Sequence, residues 1–187
     1  MIAIDFSMNS AGIIIGNDSN PENLKMLFFR QRKSDKSLVD NIYITDYPKD
    51  YSCNEERYYH IALKIFNFIE EHTTSKIVYI EDYSFSSNGK VFNIAEATGT
   101  LKQLLWINGY ELTKVSPKSI KKFATGSGNA SKTDMYDKFV DNTNYDFNKA
   151  ISGPQKEIKK GAKNIPAPVT DLIDAYFLLQ YALIKHT

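Results

Sequence analysis

One cysteine, Cys53, stands in 187 residues. A lone cysteine excludes an intramolecular disulfide and a cysteine-based zinc site. Long apolar runs are missing as well: no stretch reaches the ~18 residues of a membrane span. The first apolar run is only a few residues long and carries Asp5, which is unlike a signal peptide. Internal repeats and low-complexity tracts are also absent. What is present is ordinary for a globular chain, with 42% hydrophobic and 24% charged residues. The expectation is one domain over residues 1–187, long enough to bury a sizeable core, soluble, cytoplasmic and without a membrane partner.

The net charge of +1 is unevenly spread. Residues 114–163 hold eleven lysines against five acids, whereas residues 1–113 hold 11 basic and 15 acidic groups. A basic segment joined to a mildly acidic body points to a polyanionic partner. On charge alone, a solvated lysine-rich face explains it equally well.

The runs "MIAIDFS", "AGIIIGN" and "LKMLFFR" read as three short strands joined by turns, an antiparallel meander. Residues 31–54 are polar and irregular apart from "NIYIT", and are expected to form a loop or a peripheral strand. In "EERYYHIALKIFNFIEEHT", Tyr58, Ile61, Ala62, Ile65, Phe68 and Ile69 recur at helical spacing, leaving His60 on the polar face. "SKIVYIEDYSF" is a buried strand ending in two carboxylates. "KVFNIAEATGTLKQLLWIN" is a second helix, and "YELTKVS" a further strand stopped by Pro117. The remainder is helical, closing with "TDLIDAYFLLQYALIK" behind the stiff approach "IPAPV". Alternating strands and helices imply parallel pairing with right-handed crossovers. The expected architecture is α/β: a five-stranded mixed sheet, three antiparallel strands then two parallel, flanked by helices. This is the strand order of the ribonuclease H-like fold.

Four carboxylates stand in apolar surroundings. Asp5 lies in the first strand, Glu81 at the end of "IVYI", and Asp171 and Asp174 near the start of the final helix. In the expected sheet Asp5 and Glu81 are neighbours, and the i, i+3 spacing puts both helical aspartates on one face. Singly, each has a structural explanation. Asp5 can bond the amides of its own turn, and Asp171 can favour a helix N-terminus. Together they suit hard divalent cations, which take oxygen ligands and relieve carboxylate repulsion. Strand parity does not choose between Glu81 and Asp82, because both faces of "KIVYI" are apolar. Glu81 abuts the strand directly and is preferred.

Four stretches resemble the RuvC-like Holliday-junction resolvases of the ribonuclease H-like superfamily, in the family's order. They are "IAIDFSMNSAG", "IEDYSF", "VSPKSIKKFATGSGNASKTDM" and "TDLIDAYFLL", spanning nearly the whole chain. Many members carry Asp-Pro-Gly after the first strand. Here Asp5-Phe6-Ser7 and a later Gly12 stand instead, a variant that is similar to phage-encoded relatives and so implies a host cytoplasm. The resemblance implies a crossover junction endodeoxyribonuclease that resolves branched DNA as a homodimer. It implies metal-binding catalytic roles for Asp5, Glu81, Asp171 and Asp174 around two Mg²⁺ ions, with Mn²⁺ as a substitute. It also implies DNA contact by Lys118, Lys121, Lys122 and Lys132, with Lys132 catalytic beside the scissile phosphate. The loop "ATGSGNASK", capped by Ser131, offers backbone amides to phosphate, and Ser131 is counted with the DNA-binding residues. Phe6, Tyr83 and Phe85 are core residues or stack on an unpaired base.

Two other classes fit less well. An actin-like ATPase or sugar kinase shares the fold but needs two copies of it, more than 187 residues provide. A non-catalytic branched nucleic-acid binder would have no use for four such acids. A related nuclease acting on flaps or RNA stays open.

Overall fold

The computed structural model describes residues 1–7, 10–83, 91–153 and 156–186. Short β-branched and aliphatic segments build its sheet: β1 (Ile2–Asp5), β2 (Gly12–Ile15), β3 (Lys25–Phe29), β4 (Ile42–Thr45), β5 (Ile77–Glu81) and β6 (Glu111–Val115). The helices among the described residues are α1 (Asn54–His72), α2 (Val91–Ile107), α3 (Pro117–Thr125), α4 (Lys132–Thr143), α5 (Phe147–Ser152) and α6 (Ala167–Lys185). Strands lie in the order β4-β3-β2-β1-β5-β6. β1, β2 and β3 pair antiparallel, and β5 and β6 add in parallel beside β1.

The sheet has six strands and not the expected five. "NIYIT" forms β4, which pairs in parallel with β3 at the edge. Its crossover carries no helix, so it lacks the usual strand–helix–strand signal. Residues 32–38 instead lie against α5, where the Lys36 and Leu38 amides donate to the Ile151 and Ala150 carbonyls at 3.0 and 3.1 Å. Asp35 is fully buried there and satisfied by the Arg32 guanidinium at 2.6 Å and the Arg32 amide at 2.8 Å.

Alternation along the strands divides the core in two. Ile2, Ile4, Ile13, Ile15, Leu27, Phe29, Val78 and Ile80 pack against α1 and α2. Ala3, Ile14, Met26, Phe28 and Tyr79 face the opposite layer, where α6 is the central helix. α6 begins at Ala167, behind Pro166 and with Pro168 in its first turn, three residues earlier than its apolar pattern suggested. Most of its length is buried, including Val169, Leu172, Ile173, Phe177, Leu178 and Leu179. Each such side chain contributes about 1.5–3 kcal/mol, so α6 is held firmly on β1 and β2. No helix among the described residues is long and apolar enough to cross a membrane.

Candidate active site

Strand parity, once the two layers are known, sorts the acidic residues. Asp5 follows Ala3 by two and Glu81 follows Tyr79 by two, so both belong to the α6 side of the sheet. The parallel register pairs Ile4 with Ile80, and the next step sets Asp5 beside Glu81. Asp82 leaves this group: its amide donates to the Val115 carbonyl at 2.8 Å, and its carboxylate stands 3.9 Å from Lys114 Nζ.

α6 brings the other two acids. Opposite Asp5 on β2 is Gly12, and this glycine is required by close approach. A Cβ there would lie 2.5 Å from the Asp171 carbonyl oxygen and 2.9 Å from the Leu172 amide nitrogen. The missing side chain lets α6 cross the sheet directly over Asp5, carrying Asp171 and, one turn on, Asp174. The early start of α6 leaves Asp171 outside the first turn, so the helix-terminus explanation for its charge loses force.

The electrostatics record the convergence. Burial raises the Asp5 carboxyl well above the usual range, and the charges of Glu81, Asp171 and Asp174 push it further. Glu81 is pushed up to about 8 by burial and then by Asp174. Asp171 is raised strongly by burial and by Asp174. Asp174 is raised to about 6 by burial, against the opposing pull of Lys121 and Lys132. All four remain half-buried. A cavity of about 210 Å³ is lined by Glu81, Lys121, Lys132, Met135, Thr170 and Asp174 among others.

Of the expected lysines, Lys121 and Lys132 join the acids, while Lys118 and Lys122 lie exposed away from the cavity lining. Lys132 is the first residue of α4, and its place is set by a capping box. Ser131 Oγ accepts from the Asp134 amide at 3.1 Å, and Asp134 Oδ2 accepts from the Ser131 amide and hydroxyl, each at 2.8 Å. The Ser131 hydroxyl is therefore engaged in the cap. The glycine-rich loop likewise bonds to itself. The amides of Ser127, Asn129 and Ala130 donate within it, that of Ser131 donates to Asp134 in α4, and Gly126 closes α3 with φ +84.

The aromatic candidates separate. Phe6 is buried in the α1/α2 core. Tyr83 receives a hydrogen bond from Lys102 Nζ at 2.6 Å, which ties it to α2. Phe85 lies outside the described residues.

Two contributors escaped sequence reasoning. Ser10 Oγ donates to Asp171 Oδ2, in the turn where the sequence departs from the commoner family pattern. Tyr47, delivered by the segment after β4, lies near the acids. Burial and the charges of Asp171 and Asp5 raise its phenol far above the usual range. A recognised β4 would have been the only signal for Tyr47.

Among the described residues no three acid, histidine or cysteine side chains form a ready-made metal cage. The donor chemistry nonetheless fits hard cations. Four carboxylates face two lysines, leaving excess negative charge in a partly desolvated site, which is the imbalance a divalent ion neutralises.

No family model matches the sequence, and no curated protein matches it. Solved structures do. The Thermus thermophilus RuvC structure aligns over 100% of this chain and 96% of its own, with TM-score 0.57 and 15% identity. T. thermophilus RuvC in complex with Holliday junction substrate aligns over 99% and 96%, at 0.61 and 13%. The yeast mitochondrial Holliday junction resolvase Ydc2 aligns over 99% and 80%, at 0.52 and 15%. The chain has the RuvC-like resolvase fold.

Proposed function

We propose that this protein is a Mg²⁺-dependent, structure-selective endodeoxyribonuclease that hydrolyses phosphodiesters in branched DNA. The observation that carries the reading is the meeting of Asp5, Glu81, Asp171 and Asp174, from β1, β5 and α6, beside one lysine-flanked cavity. The fold supports it, since the matched structures of that fold are junction resolvases and one holds a Holliday junction substrate. Asp5, Glu81, Asp171 and Asp174 are the residues that would hold the ions. Bound there, a Mg²⁺ pair supplies Lewis-acid activation of water and charge neutralisation at the leaving oxygen.

This chain's own groups do the rest. Lys132, fixed at the α4 N-terminus, meets the scissile phosphate and balances charge on its oxygens. Lys121, which lines the same cavity from α3, grips the neighbouring backbone. Lys118 and Lys122 extend phosphate contact outward, adding affinity without reading bases. Among the described residues one chain carries one such acidic cluster, whereas resolving a four-way junction takes two opposed nicks. A two-fold homodimer matches that symmetry, and the setting is cytoplasmic.

The test is incubation of purified protein with a labelled four-way junction, a Y-fork and a linear duplex, with Mg²⁺ or EDTA. The reading expects cleavage of the branched substrates with Mg²⁺ and none with EDTA. Shape-selective binding with no cleavage of any substrate would replace it with a non-catalytic binder.

A further inference from the structure

The turn between β1 and β2 departs from the Asp-Pro-Gly pattern of many RuvC-like resolvases, and its Ser7 and Ser10 have a definite geometry. Ser10 is only 9% exposed, and its one hydroxyl proton is spent on Asp171 Oδ2. Its backbone is clasped in turn. The Ser10 amide donates to Ser7 Oγ at 2.9 Å, while Ser7 Oγ donates to the Ser10 carbonyl. Two hydrogen bonds between the same two residues leave Ser10 little freedom to move away from its partner. The other Asp171 oxygen is held loosely. Thr170 Oγ1 reaches Oδ1 at 3.4 Å but makes its closer bond to the Ala167 carbonyl at 3.0 Å. The main chain behind Asp171 is pressed against Gly12, two residues further on at the start of β2.

We propose that Ser10 is a positioning residue for cation binding: its hydroxyl anchors Asp171 by Oδ2, the Ser7 clasp holds Ser10 in place, and Oδ1 is left to ligate. This rests on the reading of Asp171 as a ligand. A carboxylate with neither oxygen anchored rotates freely about its last bond, and each cation bound must then stop that rotation. An anchored one has lost that freedom on folding. The gain is in affinity for the ion more than in the chemistry after it is bound, because partners behind a ligand chiefly orient it.

The experiment titrates Mn²⁺ into purified full-length protein by calorimetry, for the wild type, Ser10→Ala, Ser7→Ala and Asp171→Asn. Ser10→Ala is expected to weaken Mn²⁺ binding by about 10-fold or more, the usual scale for losing a partner behind a ligand. Ser7→Ala, which leaves the donor in place, is expected to weaken it by a smaller factor. Asp171→Asn is expected to remove the tight binding. In junction cleavage, Ser10→Ala should need more Mn²⁺ for half-maximal rate yet recover the wild-type rate at saturation. A merely structural role would lower the plateau. Wild-type affinity in Ser10→Ala, alongside lost binding in Asp171→Asn, would overturn the positioning role alone. Wild-type affinity in Asp171→Asn would overturn the ligand reading beneath it. Should Ser10→Ala fail to fold, Ser7→Ala decides: unchanged affinity counts against the clasp.

Discussion

Gly12 on β2 and Asp171 on α6 meet backbone to backbone, so closely that a single added methyl would stand 2.5 Å from the Asp171 carbonyl oxygen. The contact sets the height of α6 above the sheet, and with it the distance between the helical aspartates and Asp5.

Gly12→Ala is therefore expected to lift or slide α6. Overpacking of this kind costs about 1–3 kcal/mol, too little to unfold most domains of this size. Cleavage should fall far more than stability, because Asp171 and Asp174 move together relative to Asp5. Thermal melting read beside junction cleavage checks this, and full activity with unchanged melting would remove the contact from the account.

The raised carboxyl groups make the cation-free protein sensitive to pH. Glu81, ordinarily 4.5, is pushed up to about 8 by burial and by Asp174. Between those values the native state holds a proton that the unfolded state has released. The stability linked to that proton is fully present below 4.5 and is lost as the pH rises through about 8. Asp174, raised to about 6, adds to the lower part of the window. In EDTA the melting temperature should decline from pH 5 to pH 8. With Mn²⁺ the decline should shrink or reverse, since the ion binds the deprotonated acids and stabilises the fold by mass action. Identical profiles with and without Mn²⁺ would contradict a cation site among these acids.

Neutralising one acid should relieve the others. Asp174→Asn removes a charge that raises Asp5, Glu81 and Asp171. In EDTA at pH 8 the variant should melt above the wild type, while losing cleavage. A lower melting temperature would mean that the aspartate serves structure first.

The lysines divide by position. Lys121→Ala and Lys132→Ala should lower the cleavage rate at saturating DNA, because both line the cavity beside the acids. Lys118→Ala and Lys122→Ala, exposed and away from it, should weaken DNA binding and flatten its salt dependence by about one phosphate contact each, leaving the saturated rate near wild type. Equal effects from all four would dissolve the distinction.

Much of this site was legible in the sequence for definite reasons. Asp5 and Glu81 stand out because a charge in an aliphatic strand demands explanation, and the strand order makes them neighbours. Asp171 and Asp174 share a helix face by spacing alone. The choice of Glu81 over Asp82 was not legible from parity, since both faces of β5 are buried; it needed the knowledge that Tyr79 faces α6. β4 was obscured because a short strand with a non-helical crossover lacks the usual pattern, and Tyr47 was obscured with it. Ser10 was hidden for another reason. A serine in a turn is unremarkable until the element opposite it, 161 residues away, is known.

The most direct test of the account is single-turnover cleavage of a labelled four-way junction in Mg²⁺ by the wild type and by Asp5→Asn, with junction binding measured alongside. The account predicts that Asp5→Asn binds the junction at least as tightly but cuts it about a hundredfold or more slowly, the scale of losing one electrostatic element of a transition-state clamp. Equal cutting by the two proteins, or no cutting by the wild type, would contradict it.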